Sequence, residues 1–254
     1  MDAFGKGRPA LIVYLMAGYP DRDTSLESLR AAARGGADVI ELGVPYGDPL
    51  ADGPVIAEAA KVAREQEGGF GLVHALQVAE VFGADPGVEE APPVVVMTYL
   101  NPLMRLGLPA AAERMRDAGI AGVIVPDMPP EAAASWKRVS GGIDTVFLAA
   151  PTSTDERLAI VAAASEGFVY CVSSTGITGE RDTLALGLAD QVERIRAHTT
   201  LPVAVGFGVS TPEQAAQVAA IADGVIVGSA IVKRQHDPDQ VERFVHQLSE
   251  AVSG

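Results

Sequence analysis

A single parallel (β/α)8 barrel, a TIM barrel with extra short helices spanning residues 1–254, is the fold class this sequence predicts. Eight short runs rich in β-branched residues recur along the chain. Most are almost continuously apolar, as parallel strands covered on both faces must be. Segments with helical spacing lie between them, and 254 residues is a length that such a barrel takes. A doubly wound open sheet has the same alternation and is the second choice.

The first run is ALIVYL (10–15), followed by a helix over Thr24–Arg34 with Leu26, Leu29 and Ala33 on one face. ADVIEL (37–42) comes next, then a helix over Val55–Glu67 after Pro54, which GGFG (68–71) breaks into two pieces. ADPGVEEAPP (84–93) reads as a surface loop ahead of PVVVMTY (93–99), and Ala110–Ala118 as a helix closed by Gly119. AGVIVPD (121–127) leads into a helix over Glu131–Ser140, and DTVFLAA (144–150) into one over Thr154–Ser165. FVYCVS (168–173) is followed by Leu184–Thr199, and PVAVGF (202–207) by Pro212–Ile221. That last helix has the clearest start, with Thr211 as N-cap, Pro212 in the first position and Gln214 placed for a capping box. DGVIVG (223–228) completes the strands, with a short helix opening at Gly228 and Ser229 and a final helix over Pro238–Val252. GGADVIELG (35–43), AGIAGVIVPD (118–127) and ADGVIVGSA (222–230) echo one another, each with small residues before an apolar strand. Close helix-to-strand packing explains the echo.

Charge narrows the function. The 33 acidic and 19 basic residues give a net charge of −14, which repels nucleic acid and anionic membrane. One cysteine, Cys171, permits no intrachain disulfide, and the N-terminus lacks the apolar stretch of a signal peptide, so the expected location is the cytoplasm. No apolar run reaches transmembrane length.

In a barrel of this kind the active site gathers at the C-terminal ends of the strands. None of Lys6, Lys61, Lys137 and Lys233 ends a strand, so a Schiff-base lysine has no candidate. His74, His198, His236 and His246 fall on helices or their ends without metal-pair spacing, and all four read as solvated surface residues; no metal site is expected. Cys171, inside a strand with no charged neighbour, reads as a buried structural thiol. Carboxylates remain.

Glu41 ends the second strand after Val39 and Ile40, where desolvation in an apolar barrel mouth raises its pKa and readies it to donate a proton. Asp52 lies in a loop stiffened by Pro45, Pro49 and Pro54, where an ionised carboxylate can accept a hydrogen bond from a substrate N–H. Spacing alone leaves open a solvated loop acid for Asp52 and an ion-paired or capping acid for Glu41; Asp48 reads as a turn residue. A positioned acid/base contributes roughly 10²- to 10⁴-fold, so the substrate must carry its own electron sink. On the other side of the mouth, STGITGE (174–180), VGFGVS (205–210) and VGSAIVK (227–233) follow strands six, seven and eight. Their backbone N–H groups, with the start of the short helix at Gly228 and Ser229, suit a phosphate without needing Lys or Arg.

With these residues in place, the sequence resembles the tryptophan synthase alpha subunit family over essentially its whole length. ELGVPYGDPLADGP (41–54) is the strongest match, and YLMAGYP (14–20), YLNP (99–102), VPDMPPEA (125–132), STGITG (174–179), GFGVS (206–210) and VGSAIVK (227–233) resemble further family stretches. Gly47 and Tyr46 depart from it, since many members carry Ser and Phe there. The resemblance implies retro-aldol cleavage of indole-3-glycerol phosphate to indole and glyceraldehyde 3-phosphate, with no cofactor. It implies that Glu41 protonates indole C3 and then removes the side-chain hydroxyl proton, while Asp52 accepts the ring N–H. It also implies that Tyr170 packs against the substrate, that Gly179, Phe207, Gly208, Gly228 and Ser229 hold the phosphate, and that Thr178 reaches Asp52 when a lid over 174–183 closes. A β subunit carrying pyridoxal phosphate, met in an α2β2 complex through Tyr99, Asn101, Pro45 and Asp48, is the implied partner and receives the indole. A stand-alone lyase and a non-catalytic regulatory subunit are the alternatives.

Overall fold

The computed structural model describes residues 2–49, 52–88, 90–173, 181–206 and 208–254. Nine strand segments, β1 (Ala10–Met16), β2 (Val39–Gly43), β3 (Val94–Met97), β4 (Gly122–Ile124), β5 (Asp144–Val146), β6 (Leu148–Ala149), β7 (Val169–Val172), β8 (Val203–Gly206) and β9 (Gly224–Val227), form one parallel sheet. Their order is β5-β4-β3-β2-β1-β9-β8-β7-β6. The two end segments adjoin in sequence, separated only by Phe147, so the fifth run supplies both and the sheet closes on itself. The hydrogen-bonding partner changes at that residue: Asp144–Val146 pairs with β4, and Leu148–Ala149 with β7. A closed barrel is therefore the answer to the ambiguity that alternation alone leaves.

Strand residues alternate between two cores. Leu11, Val13, Leu15, Ile40, Leu42, Val94 and Val96 face the helices, whereas Ile12, Tyr14, Met16, Val39, Val95, Met97, Tyr170, Ala204 and Ile226 fill the barrel. Period-2 geometry puts Glu41 on the interior side with Val39. Glycines make room for the largest interior rings. A Cβ on Gly43 would lie 2.0 Å from Tyr14 Oη, and one on Gly206 would lie 2.3 Å from Tyr170 Oη.

The helices are α1 (Arg22–Arg34), α2 (Pro54–Glu65), α3 (Leu72–Gly83), α4 (Leu100–Leu106), α5 (Leu108–Asp117), α6 (Ala134–Lys137), α7 (Asp155–Ala164), α8 (Arg181–Arg196), α9 (Pro212–Ala219), α10 (Ser229–Val232) and α11 (Pro238–Ser253), with 3-10 turns at Asp2–Phe4 and Pro130–Ala132. GGFG separates α2 from α3 as expected, and Gly119 follows α5 with φ +70°. Thr211 Oγ1 accepts from Gln214 N at 3.3 Å, while Gln214 returns its Oε1 to Ser210 N, one residue upstream of a capping box. Three expectations are corrected. Helix α1 begins before Thr24 because Asp21 accepts the Thr24 N–H and acts as its cap. The stretch YLNP opens α4, a helix unforeseen in the sequence. The Glu131–Ser140 helix shrinks to a 3-10 turn and the one-turn α6, anchored by Trp136 Nε1 donating to Thr145 Oγ1 at 3.1 Å in the core. No described helix is long and apolar enough to cross a membrane.

The echoed segments have a second cause besides close packing. Packing is real, since a Cβ on Gly35 would lie 2.8 Å from Glu242 O in α11. Asp38 also accepts from Leu11 N at 2.9 Å, and Asp223 from Val203 N at 2.8 Å, so each acid ties the start of a neighbouring strand. Arg8 and Lys6 neutralise Asp38 at 2.7 and 2.9 Å and hold its carboxyl below the usual range against the cost of burial.

The end of β1 that meets the site is fixed by one buried amide. Gln235 accepts from Met16 N at 2.9 Å and donates to Met16 O at 2.7 Å and Tyr19 O at 2.9 Å, while Ser28 Oγ donates to its backbone carbonyl. Gln235→Ala removes the side-chain partner of Met16 N and of Tyr19 O in the core and is expected to cost roughly 2–6 kcal/mol, at about 1–3 kcal/mol per unsatisfied buried group. Urea unfolding checks it; a midpoint unchanged from the parent chain refutes it.

Candidate active site

A cavity of about 380 Å³ opens at the C-terminal ends of the strands. Glu41 from β2, Asp52 from the following loop, Tyr14 from β1 and Tyr170 from β7 line it, with Met97, Ile124, Leu148 and Ile226 forming apolar walls. Gly208, Gly228 and Ser229 close the opposite end. Seven barrel strands and the loops that follow them therefore bring together residues as far apart in sequence as Tyr14 and Ser229. Thr178, Gly179 and Phe207, with most of the expected lid, lie outside the described residues.

Glu41 is 2% exposed, and its Oε2 is buried with no hydrogen-bond partner among the described residues. Desolvation, reinforced by the nearby Asp52 charge, pushes its carboxyl up to about 8. At neutral pH it is a protonated acid facing a cavity. Asp52 is raised by burial to about 6, less than Glu41 because the Tyr99 hydroxyl donates to it. It is still largely ionised at pH 7. Burial, and not only the proline-braced loop, therefore sets the acidity of Asp52.

Tyr99 serves the site rather than an outer face. It is 3% exposed and stacks on Tyr46 with ring centroids 4.7 Å apart. Pro45 is also buried, while Asn101 and Asp48 are exposed. Asn101 and Asp48 are therefore open to solvent, whereas Tyr99 and Pro45 are covered. The two departures from the family pattern have local roles. Asn101 Nδ2 donates to Tyr46 Oη at 3.3 Å, and Gly47 leaves room for Arg64, whose Cζ would stand 3.1 Å from a Cβ there. A second groove, about 730 Å³, runs beside this loop between α2, α3 and α4.

Cys171 is a buried thiol pushed up to about 12 by desolvation, and the four histidines are exposed, as their sequence contexts suggest. Among the described residues no group of three His, Cys, Asp or Glu side chains is placed to hold a metal. Sequence reasoning missed three polar lining residues. Lys233 reaches the glycine end from the last turn of α10, and its i+4 spacing from Ser229 was the available signal. Arg234 also lines this end but is engaged with Ala230 O at 2.6 Å and the Phe244 ring at 3.8 Å. Tyr14 was the third omission; its alternation with Ile12 and Met16 marks it as inward-facing.

A closed parallel barrel with two carboxyls and apolar walls in a cavity at the C-terminal ends of its strands has the build of a β/α-barrel enzyme. The family described as "Tryptophan synthase alpha chain" matches residues 2–253. The chain belongs to that family. It is 46% identical to the tryptophan synthase alpha chain of Streptomyces coelicolor over 242 residues, covering 93% of this chain and 86% of the relative. Against that of Dehalococcoides mccartyi it is 42% identical over 256 residues, covering 99% and 98%. Solved structures agree: a ligand-free Mycobacterium tuberculosis tryptophan synthase matches with TM-score 0.87 at 38% identity over 99% and 98% of the two chains. The alpha subunit from Legionella pneumophila matches with TM-score 0.87 at 32% identity over 99% and 97%.

Proposed function

We propose that this chain is a carbon–carbon lyase that cleaves indole-3-glycerol phosphate to indole and glyceraldehyde 3-phosphate. The observation that carries the reading is one cavity lined by two carboxyls, Glu41 and Asp52, by apolar side chains and by Gly208, Gly228 and Ser229; burial raises Glu41 to about 8 and Asp52 to about 6. The apolar walls take the indole, and Asp52 accepts its ring N–H. Glu41 donates its proton to indole C3, which makes the ring an electron-accepting indolenine. The resulting Glu41 carboxylate removes the proton of the chain hydroxyl, and the C–C bond breaks as the electron pair returns to the ring. Gly208, Gly228 and Ser229, together with Gly179 and Phe207, hold the phosphate, and Tyr170 packs against the indole. Thr178 reaches Asp52 from the closed lid. The four side chains Tyr99, Asn101, Pro45 and Asp48 shape the loop face offered to a β subunit, to which the indole passes in an α2β2 complex.

The test is indole release by the purified chain, with and without a cognate β subunit, across pH. The active form has Asp52 ionised and Glu41 protonated, so kcat/KM is expected to rise through about 6 and fall through about 8. The partner is expected to raise turnover without removing either limb. Absence of indole under both conditions refutes the reading.

A further inference from the structure

The mechanism above gives no task to Tyr14. Tyr14 is 4% exposed and lines the cavity with Glu41 and Asp52. Its place in the barrel is specific. Tyr14 and Glu41 are register partners on the adjacent strands β1 and β2. On its other side β1 pairs with β9, which delivers Gly228 and Ser229. A Cβ on Gly228 would sit 3.7 Å from Tyr14 Cβ, so the ring stands between the glycine end and the acid.

A ligand with its phosphate at Gly228 and its indole beside Glu41 must run its three-carbon chain along this ring. That chain carries two hydroxyls, and a phenol is a matching partner for one of them. We propose that Tyr14 is a further substrate-positioning residue, whose hydroxyl hydrogen-bonds the hydroxyl-bearing chain between the indole and phosphate ends and presents it to Glu41. The proposal rests on the substrate reading given above. Burial and the nearby Asp52 and Glu41 charges hold the phenol well above its ordinary range, so it acts as a neutral hydrogen-bonding group and not as a second base. Gly43 is part of the same device, because any side chain there would occupy the position of the hydroxyl.

Tyr14→Phe keeps the ring and deletes the hydroxyl. Binding is measured by calorimetry in a Glu41→Gln background, where no turnover occurs, with two ligands: indole-3-glycerol phosphate and 3-(indol-3-yl)propyl phosphate, which lacks both chain hydroxyls. Tyr14→Phe is expected to weaken the first by about tenfold, the size of a neutral hydrogen bond, and to leave the second unchanged. Equal losses for both ligands, or no loss for either, overturn the proposal, since a purely structural ring does not distinguish them. Should Tyr14→Phe unfold, the affinity ratio of the two ligands with Tyr14 intact decides: a ratio near one overturns it. Failure of both ligands to bind while Tyr14 is present overturns the lyase reading itself, a result separable from the loss of discrimination.

Discussion

Glu41→Gln is expected to abolish cleavage and, at alkaline pH, to leave the protein more stable than its parent. The catalytic loss follows from removing the only group in the cavity that the mechanism uses to carry a proton in both directions, with a rate loss of at least ~10²- to 10⁴-fold. The gain in stability comes from the same burial that tunes the acid. Folded Glu41 keeps its proton to about 8, whereas the unfolded chain releases it near 4.5. Between those values the folded state binds more protons, so stability falls as pH rises. The accumulated penalty is on the order of 5 kcal/mol above pH 8, at about 1.4 kcal/mol per pH unit. Glutamine carries no such penalty. Melting curves of the two proteins should therefore lie close together at pH 5 and separate in favour of the variant at pH 9. Parallel curves across that range would show that Glu41 ionises normally and remove the physical basis of the acid role.

Gly43→Ala is expected to damage both fold and activity through a single methyl group. The added carbon would lie 2.0 Å from Tyr14 Oη and 2.4 Å from its Cζ, inside van der Waals contact with a ring hemmed in by the barrel. Overpacking of this kind costs about 1–3 kcal/mol. The relief available to the ring is toward the cavity, so substrate affinity falls with stability. A double-mutant cycle with Tyr14→Ala isolates the clash: removing the ring should make Gly43→Ala far less costly, giving strong coupling between the two sites. Additive losses in chemical denaturation would place the damage elsewhere.

Much of this molecule is legible in its sequence. Continuous apolar runs separated by helical segments give a parallel β/α fold, because strands covered on both faces cannot alternate in polarity. Glu41 after Val39 and Ile40 reads as a desolvated acid at the end of its strand; the structure buries it, but in the middle of β2, which runs on to Gly43. Gly228 and Ser229 open a short helix at the cavity, also as read. The readings that failed share a cause. The 3-10 turn and one-turn helix in place of Glu131–Ser140 depend on where Trp136 can dock, and Thr145 Oγ1 provides that place. Helix α4 has no clear starting signal of its own in YLNP, and Tyr99 at its cap is committed to Asp52.

The sequence by itself determined the order of strands and helices, the acids available for chemistry and the absence of a strand-end lysine. Those properties depend on local pattern, which the chain carries wherever it goes. Only the tertiary structure decided that the sheet closes through a fifth strand divided at Phe147, and that Tyr14 stands between Glu41 and Gly228. It also decided that Tyr99 moderates the acidity of Asp52. Each of these is a contact between residues far apart along the chain. Ring closure and strand register set such distances, and the desolvation that separates the two carboxyls exists only once the barrel has excluded water from them.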